Sequence, residues 1–141
     1  MANLRQLTGM RGVYLVAAEL SRIGLIVSPT SRGAAGADIL ATDPSCSKAF
    51  SVQVKTNAST FGFWLVGPKA LEIKSRSHIY VFVNIRGKDA AEKVEYYVVP
   101  SSVVAKKTHH GTSKTRKWSE WWEFRLESAK PYRDKWQVFR I

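Results

Sequence analysis

The run His78-Ile79-Tyr80-Val81-Phe82-Val83-Asn84-Ile85 constrains the fold more than any other stretch of this 141-residue chain. Its apolar side chains do not alternate with polar ones, so a strand built from it carries apolar groups on both faces and needs cover on each. It therefore reads as a central strand of a layered fold. Val94–Val99, after a polar turn around Gly87–Glu92, reads as its hairpin partner or near neighbour. One covering layer is visible upstream. Between Arg11 and Ile23, the residues Val13, Val16, Ala17, Leu20 and Ile23 share one helical face, and Gly24 stands where a helix-ending glycine belongs.

Leu25–Ser28 reads as a short first strand, and Pro29 to Gly36 as a small-residue loop leading into a second strand, Asp38-Ile39-Leu40-Ala41. The loop is not a phosphate-binding P-loop, because the Gly-Lys-Ser/Thr ending is missing and a strand follows. Ala49–Thr56 alternates, with Phe50, Val52 and Val54 on one face and Ser51, Gln53 and Lys55 on the other. The run Phe61, Phe63, Trp64, Leu65 and Val66 reads as a core strand, with stacking on unpaired bases as its alternative role. Short helices are expected over Pro68–Ile73 and from Pro100 through Ala105. Trp122, Phe124 and Leu126 alternate with Glu123, Arg125 and Glu127 as a half-buried strand, and Trp136–Phe139 closes the chain. The expected fold is α/β, a single domain over residues 1–141 with a mixed, twisted sheet flanked by helices.

Charge points to the partner. Lys and Arg number 22 against 11 Asp and Glu, a net charge of +11, while 45% hydrophobic residues exclude a disordered basic tail. A polyanion is the partner such an excess favours, because each phosphate neutralised releases counterions. A membrane surface fits less well, since the basic residues do not line one amphipathic helix. Cys46 is the only cysteine, which rules out an internal disulfide and a cysteine-based zinc cluster. Val13–Leu20 is interrupted by Glu19 and is too short for a signal peptide or a membrane span, so an intracellular, cytoplasmic protein is expected.

The chemistry concentrates where the second and third strands meet. Gln53 and Lys55 leave the same face, and with Asp38 on the neighbouring strand an acid, an amide oxygen and an amine converge. An acid and an oxygen ligand can hold a hard divalent cation, and the amine can orient water attacking a phosphodiester. Glu19 lies at the edge of the helical stripe, where a carboxylate can reach an adjoining sheet. Glu19, Asp38, Gln53 and Lys55, in that order, resemble the site of the PD-(D/E)XK nuclease superfamily, which includes type II restriction enzymes, archaeal Holliday-junction resolvases and the end-cleaving subunit of some transposases. In that family a helical Glu, a strand Asp and a following Asp/Glu-X-Lys strand make up the site. The resemblance runs from Arg11 to Thr56, and Gln53 departs from the usual acid. Some members, the transposon enzymes among them, carry Gln there and still cut DNA.

The resemblance implies a restriction-endonuclease-like core and a metal-dependent nuclease that hydrolyses DNA. Asp38, Gln53 and the backbone carbonyl of Val54 would hold Mg²⁺ or Mn²⁺, Glu19 would assist through water or a second ion, and Lys55 would act on the attacking water. Two other readings stand beside it: a nucleic-acid-binding module of the same fold without catalysis, and a basic subunit that docks on an acidic protein. Candidate phosphate contacts are Arg32 in the small-residue loop and Lys106, Lys107, Lys114, Arg116 and Lys117, a segment without acids that reads as a mobile loop. His109 and His110 within it lack a nearby third ligand and read as solvated. DNA is the expected partner, with RNA a polyanion of the same kind. A chain this small has little room to clamp a duplex, which points to a homodimer or a larger complex.

Overall fold

The computed structural model of the protein describes residues 3–31, 36–59, 61–115 and 119–139. The first helix, α1 (Leu4–Arg22), begins ahead of the apolar stripe, because Asn3 and Gln6 form a capping box. The Asn3 side chain accepts from the Gln6 backbone N–H at 2.9 Å, and the Gln6 side-chain Oε1 accepts from the Asn3 backbone N–H at 3.2 Å. At its other end Gly24 takes a φ of +96°, which lets the chain reverse into the sheet. Gly12, Val16, Ala17 and Leu20 form the buried face.

Strands β1 (Ile26–Pro29), β2 (Ile39–Thr42) and β3 (Ala49–Asn57) follow as an antiparallel meander. The turn between β2 and β3 is organised by Asp43. Its carboxylate accepts from the hydroxyls of Ser45 and Ser47 and from the backbone N–H groups of Ser47 and Lys48. Those bonds, the Ser47 hydroxyl foremost, hold the Asp43 carboxyl well below the usual range. Cys46 sits in this turn as an exposed free thiol.

The chain then makes β4 (Phe63–Val66) and a 3₁₀ turn over Pro68–Leu71, and returns as β5 (His78–Arg86), parallel to β3. β6 (Lys93–Pro100) pairs antiparallel with β5, giving a mixed five-stranded sheet in the order β1-β2-β3-β5-β6. A short helix α2 (Ser101–Lys107), strands β7 (His109–Thr112) and β8 (Glu120–Arg125), and a helical turn α3 (Leu126–Ala129) follow. β4, β8 and β7 form a second, three-stranded antiparallel sheet. The fold is α/β, as the element pattern implies, with the second sheet as an added layer.

β5 explains its own composition. Ile79, Val81 and Val83 pack with Val16, Leu20, Val52 and Val54 beneath α1, while Tyr80 and Phe82 pack with Trp64, Tyr97, Val104 and Phe124 beneath the second sheet. Every residue from His78 to Ile85 is buried. The strand sits one place in from the edge of its sheet rather than at the centre. Its two polar members fare differently. His78 Nδ1 meets the Ser51 hydroxyl at 2.7 Å, whereas the amide atoms of Asn84 meet no partner among the described residues.

Two expectations change. The Phe61–Val66 run is not a uniform core strand: Trp64 and Val66 are buried, while Phe61, Phe63 and Leu65 face outward. Nor is Lys106–Lys117 one long loop, since Lys106 and Lys107 end α2 and His109–Thr112 is a strand. Gly111 makes that strand fit, as a Cβ there would lie 2.4 Å from the Trp121 ring. His110 stacks on Trp122 with ring centroids 4.6 Å apart and its Nε2 lies 2.9 Å from Glu120. Among the described residues no helix is long and apolar enough to cross a membrane.

Candidate functional site

Asp38 stands at the start of β2, where its N–H donates to the Val52 carbonyl at 2.8 Å. Thr30 closes the preceding loop, donating its N–H to the Asp38 carbonyl at 2.9 Å and its hydroxyl to the Ala37 carbonyl at 2.7 Å. Ile39 pairs with Val52 across the two strands, and both side chains are buried in the α1-side core. One residue on from each in opposite chain directions, Asp38 and Gln53 therefore share the other face. The Gln53 amide N–H donates to Asp38 Oδ2 at 2.9 Å, and the Val54 backbone N–H donates to the same oxygen at 2.8 Å. The N–H and C=O of one strand residue point the same way, so the Val54 carbonyl is directed past the end of β2, on the side of Asp38.

Lys55 follows on the Gln53 face. Three clefts meet at it. One of about 840 Å³ lies between the first half of α1 and the sheet, bounded by Gln6, Met10, Tyr14, Asp38, Gln53 and Lys55. A second of about 380 Å³ is lined by Asp38, Gln53 and Lys55 together with Pro68, Lys69 and Tyr80. The third, of about 580 Å³, runs from Lys55 to the exposed aromatic residues of the β4 region. Asp38 is the only acid among the described residues lining them.

The structure thus brings Asp38, Gln53, the Val54 backbone and Lys55 together, and leaves Glu19 elsewhere. Glu19 lines none of the three clefts and accepts a hydrogen bond from Arg22 Nε at 2.6 Å. It lies near Tyr96, whose phenol is pushed above its ordinary value chiefly by burial and next by the Glu19 charge. The cause is helical geometry. α1 meets the cleft through its first half, and Glu19, nine residues beyond Met10, lies about half a turn round the helix from it. Gln6, Met10 and Tyr14 occupy the place expected of Glu19, and the Asn3–Gln6 capping pattern is the signal that extends the helix to them.

A divalent cation at this site would find an all-oxygen donor set: the Asp38 carboxylate, the Gln53 amide oxygen after rotation of the amide, and the Val54 carbonyl. Hard cations take such ligands, so the set fits Mg²⁺ or Mn²⁺ while offering a single formal charge. Among the described residues no three His, Cys, Asp or Glu side chains are grouped closely enough to hold a metal.

Of the candidate phosphate contacts, Lys106 and Lys107 are exposed at the end of α2, and Lys114 is exposed just beyond β7. α2 packs against the Pro68–Leu71 turn, which walls the cleft shared by Asp38 and Lys55, so Lys106 and Lys107 extend from an element adjoining the site. Arg32, Arg116 and Lys117 lie outside the described residues. Lys69 and Arg5 are basic cleft residues that the motif reading does not single out. Compared with protein-family models and with curated proteins, the chain matches no family model and no curated sequence at a significant level.

Proposed function

We propose that the protein is a metal-dependent nuclease of the PD-(D/E)XK kind, acting on DNA phosphodiester bonds at Asp38, Gln53 and Lys55. The observation that carries the reading is the convergence of these three side chains on one sheet face, where they line two open clefts together, in a protein of net charge +11. Asp38, Gln53 and the Val54 carbonyl are the residues that would hold Mg²⁺ or Mn²⁺, and the ion would supply Lewis-acid polarisation of a phosphate oxygen and a more acidic water. Lys55 carries the protein's own share of the chemistry. Its ammonium lies on the same face two residues on from Gln53, where it can orient the attacking water and stabilise the negative charge on the oxygens of the pentacoordinate phosphorane. Lys55 lines the open cleft of about 840 Å³ between α1 and the sheet, which gives solvent access to it.

A second reading, a nucleic-acid-binding module without catalysis, draws on two observations. Gln53 presents its amide N–H, not its oxygen, to Asp38, and Glu19 is engaged with Arg22. Both leave the site with one formal negative charge.

Incubation with supercoiled, linear and branched DNA in Mg²⁺ or Mn²⁺, against an EDTA control, separates the two. The nuclease reading expects cation-dependent cleavage that Asp38→Ala abolishes, together with calorimetric Mn²⁺ binding that the same substitution removes. Lys55→Ala is expected to lose at least a hundred-fold in rate, on the order of a positioned acid–base group, while keeping DNA affinity within a small factor. Tight DNA binding with no cleavage in any cation leaves the binding module.

A further inference from the structure

We infer that the cleft on the β4 side of Lys55 receives an unpaired base from the nucleic-acid strand whose phosphate lies at the Asp38 site, so that the preferred substrate is single-stranded or forked; this rests on the nucleic-acid reading above. The cleft, of about 580 Å³, lies between the first turns of α1, the end of β3 and the edge strand β4. That volume is in the range of small-molecule sites and is ample for a nucleobase.

Its lining has the two components that sequence-tolerant recognition of single strands uses, aromatic rings and cations. Phe61 and Phe63 face the cleft from one side, 53% and 37% exposed, with ring centroids 6.2 Å apart and planes inclined at 50°. A pair of splayed rings open to solvent offers a platform for one base. Arg5 and Lys55 supply positive charge, and no acid lines the cleft among the described residues. The Asn57 side chain fixes the geometry: its Nδ2 donates to the Phe63 carbonyl at 2.8 Å, tying β4 to the end of β3 and leaving Oδ1 to accept from a base. Asn57 shares its face of β3 with Gln53 and Lys55, so a strand laid along that face passes from the acid to the aromatic pair.

A second copy of the chain is the competing occupant for this surface, because Leu4 is exposed at its rim and Leu7, Met10 and Tyr14 continue along α1. Charge argues for the polyanion. Two copies, each of net charge +11, repel one another, whereas a phosphate chain neutralises Arg5 and Lys55 as its base docks.

The test compares fluorescence-anisotropy titrations of blunt duplex, forked duplex and single strands of one sequence, each carrying 2-aminopurine at the position that is the junction in the fork, in EDTA and at fixed salt. The wild type is expected to bind forked and single strands at least ten-fold more tightly than blunt duplex and to quench the 2-aminopurine by stacking. The double variant Phe61→Ala/Phe63→Ala is expected to lose that preference, on the order of ten-fold per base platform, with duplex affinity unchanged. Phe61→Tyr/Phe63→Tyr, which keeps both rings, is expected to retain it and guards against misfolding as the cause. Equal affinity for all three substrates, or a preference untouched by the alanine pair, overturns the inference while leaving a DNA-acting protein in place. Absence of DNA binding by the wild type overturns both. A wild-type dimer in sedimentation that the alanine pair dissociates, without loss of strand preference, assigns the surface to a second copy and overturns the inference.

Discussion

Asp38 accepts two N–H groups on one carboxylate oxygen, from Gln53 and from the Val54 backbone, and a carboxylate so held keeps its position without a cation. Glutamate at position 53 would change that balance, because it removes one donor and sets two carboxylates face to face. Gln53→Glu is therefore expected to melt roughly 3–8 °C lower than wild type in EDTA, to regain that loss in millimolar Mn²⁺, and to bind Mn²⁺ at least ten-fold more tightly. Matching melting curves and Mn²⁺ titrations in the two proteins would show that the side chains at 38 and 53 do not share a ligand. His78 offers a test by pH. Burial lowers its pKa from the ordinary value near 6.5, and the Ser51 hydroxyl lies against its Nδ1. Below that value the unfolded chain takes up a proton before the native one does, so the contribution of neutral His78 is complete above about pH 6.5 and is lost as the pH falls toward the folded-state value. The unfolding free energy from urea titration is expected to decline between pH 7 and 5.5, by no more than about 1.4 kcal/mol per pH unit from this residue, and His78→Asn is expected to flatten the decline.

At the scale of elements, α1 is seated on β3 by one close approach. A Cβ on Gly12 would lie 1.8 Å from Thr56 Oγ1, and that hydroxyl is buried with no hydrogen-bond partner among the described residues. Gly12→Ala is expected to cost about 1–3 kcal/mol in denaturant titration, and Thr56→Ala in the same chain is expected to recover part of it, since the Thr56 Cβ would still stand 2.8 Å from the added methyl. If the double variant is no better than Gly12→Ala alone, the helix meets the strand somewhere else. The elements themselves were largely legible. Period-two alternation in Ala49–Thr56 placed Gln53 and Lys55 on one face, and the unbroken run in β5 announced cover on both sides. Pairing between distant short strands was not legible. β4 and β8 join across most of the second half of the chain, and nothing in the alternation of either names its partner. The placement of Glu19 failed for a related reason: periodicity defines a helix's apolar stripe but not which turns of the helix stand over the site. The bond from the Val54 N–H to Asp38 depends on where β2 begins, at the boundary that alternation defines least well.

For the whole molecule the excess charge sets how a polyanion would be held under the proposed nucleic-acid reading. Neutralising Lys106, Lys107 and Lys114 together is expected to flatten the slope of log affinity against log salt by about two to three units, at roughly 0.9 per lost phosphate contact, and to weaken all sequences alike. An unaltered slope would mean that α2 and the β7 end face away from the nucleic acid. The two-sided burial of β5 has a consequence during synthesis. Much of its α1-side cover (Val16, Leu20, Val52 and Val54) is made before it, with Phe139 closing that side last, whereas Phe124, stacked on Phe82 with centroids 4.7 Å apart, is made long after. At about 5–20 residues per second, Tyr80 and Phe82 wait on the order of 2–8 s on the ribosome for that ring. During those seconds the nascent sheet is better covered on the α1 side than on the other, where Tyr80 and Phe82 stay open to solvent, a state that chaperones and proteases recognise. Translation that halts before β8 leaves the chain in that half-clad form, so the last quarter of the sequence decides whether the sheet already built survives in the cell.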